Sequence, residues 1–153
     1  MAVVELQKLD SLVKRDTLQS IYFSFNPVSN IVQVPYHLLR GELLIAEGKT
    51  MEGIDALREA VRLEDDLRYM EPPDWKIPSR HYLGAALIEA GKFAEAETIF
   101  LEDLKKNPDN GWSLMGLQQA QFRLGKKSDV VATAKRFTKA WKNSDVTITS
   151  SRY

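Results

Sequence analysis

Apolar residues recur at helical spacing along almost the whole chain, and glycines punctuate them. Val3, Val4, Leu6, Leu9, Leu12 and Val13 predict an amphipathic helix over roughly 2–14. Residues 15–25 look irregular or briefly helical and carry Ile21, Tyr22, Phe23 and Phe25. Asn26-Pro27 reads as a helix start, with Asn as the cap and Pro in the first turn. The helix that follows to Glu47 is interrupted at Pro35, which removes a hydrogen bond and should kink it. The repeat portion of that helix starts near Val34 or extends back, bent, to Val28. The stretch from Val146 to Tyr153, rich in Ser and Thr, reads as extended or disordered.

The glycines set a repeat. Gly91 and Gly125 are 34 residues apart, and Gly48 and Gly91 are 43 apart, which is the same step with nine residues inserted. An apolar helical stretch precedes each glycine and a second one follows it. Each unit is therefore a helical hairpin whose glycine supplies the left-handed turn ending the first helix. Small residues such as Gly84 and Ala96 let the paired helices approach closely, and Asn107-Pro108 stops the second helix. A single hairpin cannot bury its apolar face, so neighbours must stack.

Leu83-Gly84, Leu87, Gly91, Ala96, Phe100 and Pro108 have the spacing of the tetratricopeptide repeat, and the chain resembles that family. The first unit keeps Gly41, Gly48 and Ala60, but has Gly53 where Ala is usual and Asp65 where Pro is usual. The third carries Leu117, Ala120, Ala134 and Phe137, with Gln118 at the small position of its first helix and Val130 in place of Ala, as suits a terminal capping repeat. Tyr69-Met70-Glu71-Pro72-Pro73-Asp74-Trp75, Leu83-Gly84-Ala85-Ala86-Leu87 and Asn107-Pro108-Asp109-Asn110-Gly111-Trp112 also resemble the carboxy-terminal part of larger bacterial tetratricopeptide-repeat proteins of unassigned activity. The resemblance implies an all-α solenoid of about three hairpins, read as one domain over 1–153. Its parts are an N-terminal helical segment (1–33), repeat 1 (34–65), a Pro-rich insert loop (66–76), repeat 2 (77–110), repeat 3 or cap (111–144) and a tail (145–153).

Composition narrows the function classes. Among 153 residues, 21 Lys+Arg balance 21 Asp+Glu, which argues against a dedicated nucleic-acid binder or a polybasic membrane anchor. Residues 1–91 hold 10 basic and 14 acidic side chains, whereas 92–153 hold 11 and 7. Lys135, Lys139 and Lys142 share one helix face, which reads as a solvated surface rather than an anion site because no aromatics interleave. There is no cysteine, so disulfides, thiol catalysis and Cys-based zinc sites are excluded. No apolar run approaches 18 residues, and the residues after Met1 do not form a secretory signal, which favours the cytoplasm.

The resemblance implies recognition on the inner face of a short superhelix, with a protein or peptide partner and no cofactor. Repeat register places Leu38, Glu42 and Ile45 on that face from repeat 1, and His81, Ala85, Ile88 and Glu89 from repeat 2. Repeat 3 contributes Trp112, Met115, Gln119, Phe122 and Arg123. Tyr69 and Trp75 in the insert form a lip with aromatic anchors, or else a connector packed on the neighbouring helix. The candidate binding residues are therefore Tyr69, Trp75, His81, Glu89, Trp112, Met115, Gln119, Phe122 and Arg123.

Two other readings stay open. One is a self-associating homo-oligomeric module in which Leu6, Leu9 and Val13 cover an exposed face in cis or in trans. The other is a hydrolase or metal-binding protein using His81 with Glu71 or Glu89. No His-x-x-x-His pair supports a metal, and His37 and His81 read as ordinary polar residues. Glu64-Asp65-Asp66 reads as a solvated helix stop. Gly48-Lys49-Thr50 lacks the upstream Gly and the strand of a phosphate-binding loop, as it falls at a helix–helix turn.

Overall fold

The computed structural model describes residues 2–152, so Met1 of the expected N-terminal segment and Tyr153 of the expected tail lie outside the described residues. The fold is all-α. Its helices are α1 (Ala2–Val13), α2 (Val28–Ala46), α3 (Thr50–Asp65), α4 (Ser79–Glu89), α5 (Phe93–Lys106), α6 (Gly111–Arg123) and α7 (Lys127–Ala140). A 3-10 turn (Asp16–Gln19) and two short antiparallel strands, β1 (Tyr22–Phe23) and β2 (Asn26–Pro27), occupy the stretch between α1 and α2. The chain forms two compact units, Met1–Ser79 and Arg80–Tyr153.

Three hairpins, α2–α3, α4–α5 and α6–α7, share one turn. Gly48, Gly91 and Gly125 have φ of +80°, +74° and +72°. At each, the glycine N–H donates to a carbonyl three residues back (Ile45, Ile88, Phe122), and the next Lys N–H donates to a carbonyl five back (Leu44, Leu87, Gln121). This is the Schellman closure, which satisfies the orphan carbonyls of a helix end and needs a residue that tolerates positive φ. The same lysine carbonyls then accept from Gly53, Ala96 and Val130, opening the following helix.

In the first unit, α1 packs on α2 with Leu6, Leu9 and Val13 half-buried. Val34, Leu38, Ile54, Leu57 and Ala60 form the core between α2 and α3. A Cβ at Gly41 would crowd Leu57, so α2 and α3 meet at closest approach there. Helix α2 runs unbroken through Pro35 from Val28. The structure corrects one detail of the expected start: Pro27 occupies the cap position and no side chain caps the helix. The Asn26 side chain is buried and turned instead to the 66–76 loop. Its amide donates to Arg68 O at 3.0 Å and Asp74 Oδ2 at 2.6 Å, and its Oδ1 accepts from Arg68 N at 2.8 Å. Glu64 is likewise more than a solvated stop, because its carboxylate accepts from Ser79 N at 2.7 Å, where α4 begins.

In the second unit, Phe100 of α5 is fully buried. A Cβ placed at Gly84 of α4 or at Gly116 of α6 would overlap its ring. The ring therefore lies between two helices that reach it because they lack side chains there. Gly116, rather than the Gln118 position, is the small residue of α6 that matters for packing. Leu83, Leu87, Leu114, Leu117 and Ala120 complete the core. Asn110 caps α6 by accepting from Trp112 N at 2.9 Å and Ser113 N at 3.3 Å.

Adding a methyl to either glycine overpacks this slot, so Gly84→Ala and Gly116→Ala should each lower unfolding free energy by about 1–3 kcal/mol. Phe100→Ala should cost about 3–5 kcal/mol. Phe100→Leu should recover part of the loss in Gly84→Ala, a coupling that urea unfolding of the single and double variants measures.

Candidate functional site

Helices α4 and α6 are the first helices of the two hairpins in the second unit. Ala85, Ile88 and Glu89 from α4 and Gln119, Phe122 and Arg123 from α6 line one open cleft of about 470 Å³. Its remaining wall is Thr149 and Ser150, from the stretch after α7. The helical spacing explains the grouping: positions 85, 88 and 89, and 119, 122 and 123, each follow i, i+3, i+4 and share a helix face. Phe122 is 72% exposed. The Arg123 guanidinium sits 4.4 Å from the Phe93 ring centroid, a cation–π contact that holds the charge at the cleft edge.

The stretch 146–152 is ordered across this face. Its path is fixed at four points. The Trp141 indole donates to Val146 O at 2.6 Å, and Gln119 Nε2 donates to Thr149 O at 2.7 Å. Ser151 Oγ donates to the backbone carbonyl of His81 at 2.9 Å. Arg152 Nη2 lies 2.8 and 3.0 Å from the two carboxylate oxygens of Glu89. Ile148 is 7% exposed and Ser151 is 1% exposed, so one apolar and one hydroxyl side chain are sequestered.

The candidate residues thus fall into separate places. Glu89, Gln119, Phe122 and Arg123 meet in the cleft. Trp112 is half-buried and packs edge-on against Trp141, with ring centroids 6.0 Å apart, and Trp141 in turn stacks on Phe137. Met115 is half-buried on α6. His81 contributes its carbonyl to the 146–152 stretch, while its side chain is buried. Tyr69 and Trp75 belong to the first unit. Tyr69 is 81% exposed with its hydroxyl on Glu71, and Trp75 is half-buried.

The His81 imidazole faces Asp103 of α5. Its Nε2 lies 3.4 Å from Asp103 Oδ2, and the same carboxylate accepts from Ser113 Oγ at 2.5 Å and Asn107 Nδ2 at 3.0 Å. Asp103 and Ser113 are fully buried, and these groups face one another. The serine proton is directed at the carboxylate rather than at the imidazole, the reverse of a nucleophile–base pair. Burial pushes the Asp103 carboxyl up, but the contacts with His81, Ser113 and Asn107 outweigh it and hold the group below its ordinary value. His37 of α2 is half-buried beside Tyr36, and burial pushes its imidazole down, which favours the neutral ring. Among the described residues, no group of three or more His, Asp or Glu side chains is placed to hold a metal ion, and no helix is long and apolar enough to cross a membrane.

The 146–152 segment and Asp103 were not among the sequence candidates. The one available signal was the pair Val146 and Ile148, apolar residues two apart in a polar stretch. A helical Asp gives no sign of burial on its own.

Because its folded pKa is depressed, Asp103 contributes stability that is fully present above the ordinary carboxyl range, near pH ~4, and is lost as pH falls through the folded value. Asp103→Asn should therefore show a shallower loss of stability between neutral and acidic pH than the natural chain. At pH 7 it should be less stable by about 1–3 kcal/mol, the cost of disturbing a buried hydrogen-bonded group. Denaturant midpoints across that pH range give both numbers.

Comparison with family models, curated proteins and solved structures finds no match in any of the three.

Proposed function

We propose that the chain is a non-enzymatic, tetratricopeptide-like repeat module that binds a protein or peptide segment on the α4/α6 face. The observation that carries the reading is the cleft itself. Six side chains from the first helices of two successive hairpins border one open trough. They mix an aromatic ring, a cation, an anion and an amide, the combination that anchors an extended chain by contact and by hydrogen bond. The three matched Gly-Lys turns support the repeat assignment. The buried setting of His81 and Asp103 favours a structural role for the residues that would otherwise suggest hydrolysis.

Self-association is a second reading, and one observation favours it. Val3, Val4, Ile21, Tyr22, Phe23 and Phe25 in the first unit are all at least half exposed, an unusual concentration for a monomer surface. Sedimentation equilibrium separates the two readings: a monomer at high concentration removes the second.

Panning a displayed library of short linear peptides against the full chain should enrich cleft ligands. Affinity for the selected peptides should fall about tenfold or more, 1.4 kcal/mol, in Gln119→Ala/Arg123→Glu. It should be unchanged in Lys135→Glu, on exposed α7. No enrichment, or enrichment insensitive to the cleft substitutions, overturns the binding reading.

A further inference from the structure

The stretch 146–152 has the features of a bound peptide. It belongs to no helix or strand and bends at residues 149–151, yet it is fixed at Trp141, Gln119, His81 and Glu89. Those partners come from the end of α7, from α6 and from α4 in turn, so the segment crosses the helices rather than packing along one of them. We infer that this segment is a built-in occupant of the α4/α6 face: it covers part of that face in cis and walls the cleft, and the partner is a peptide of the same chemistry that displaces it. The inference rests on the binding reading above and adds the identity of the competitor and the pattern it follows.

The contacts define that pattern. Gln119 meets a backbone carbonyl, so the residue at position 149 is not read by its side chain. Ile148 is buried and asks for a branched aliphatic residue. Three residues later Ser151 is enclosed and donates to the carbonyl of His81, which asks for a small hydroxyl. Arg152 meets both oxygens of Glu89 through the one nitrogen Nη2, which asks for a cation. The motif is thus aliphatic-x-x-Ser-cation.

The arrangement is also displaceable. The Arg152–Glu89 pair has one partner half in solvent, so it is a modest contact that salt weakens. Phe122 and the Arg123 edge of the cleft are not covered by the segment, Phe122 remaining 72% exposed. A partner that keeps the motif and adds an apolar or acidic residue against Phe122 and Arg123 gains contacts that the cis segment lacks. The affinity seen by such a partner is its intrinsic affinity reduced by the fraction of chains whose cleft is open.

The test uses the full chain and a fluorescein-labelled peptide with the sequence of residues 146–152. Arg152→Glu loosens the segment from outside the core, and Ile148→Ser loosens it by a second route. Either variant should bind the peptide about tenfold or more tighter than the natural chain does, by the open-fraction relation. Adding Glu89→Arg to Arg152→Glu restores the opposite charges in reversed order and should fix the segment again, which a label on the segment itself reports. Because the chain has no cysteine, a fluorophore on Thr147→Cys reports the segment alone. Its anisotropy should fall on adding saturating peptide and in the Arg152→Glu variant.

Equal peptide affinity in natural and loosened chains, with library peptides still binding the cleft, overturns the cis-occupant proposal and leaves the binding reading standing. Absence of any peptide binding to folded, loosened chains overturns both. A loosened chain that pairs with itself, in a dimer the peptide does not break, puts a second copy on the face and overturns the proposal.

Discussion

The placement of one benzyl ring governs the second unit. Phe100 can be fully enclosed only because α4 and α6 each present a bare backbone, at Gly84 and Gly116, on the two sides of it. Dispersion contacts fall off steeply with small gaps, so a ring held on both faces gains much more than one facing a loose wall. The same close approach brings Ala85, Ile88 and Glu89 near Gln119, Phe122 and Arg123. The cleft is a by-product of the core: two helices drawn to a common ring leave a trough between their outer faces.

Polar groups set the register of that packing. Asp103 of α5 accepts from Ser113 of α6, and Thr133 of α7 donates to Gln121 of α6 at 2.7 Å, all four side chains buried. Each is a bond between neighbouring helices that a one-residue slip would leave unmade at full desolvation cost. Apolar contacts draw these helices together, and the buried polar pairs select one alignment among several of similar hydrophobic content. In the first unit Asn26 does comparable work for an irregular segment, tying residues 68 and 74 to the start of α2 with three hydrogen bonds.

Much of this was legible from residue identity because it depends on local backbone rules. Gly48, Gly91 and Gly125 announced the turns, since little else tolerates positive φ at a helix end. Gly84 announced a close approach between paired helices, and the repeat register brought Glu89, Gln119, Phe122 and Arg123 to one face. What escaped notice depends on distant partners. Asn26 carries every mark of a helix cap and is used as a clamp on a loop 42 residues away. Asp103 lies on a helix rich in charge and is turned inward by partners that spacing cannot reveal. The polar 146–152 stretch has the composition of a loose end and is ordered because α4 and α6 supply its hydrogen bonds.

The three Gly-Lys joints carry a constraint of a different kind. In each, one lysine backbone ends a helix with its N–H and begins the next with its C=O, so no slack residue separates the two. Successive residues of an α-helix are rotated by about 100°. A single inserted residue would therefore swing the whole following helix around its axis and carry its buried stripe into water. Apart from the glycine that positive φ requires, these exposed corners can change their side chains but not their length, whereas surface connections usually tolerate both changes.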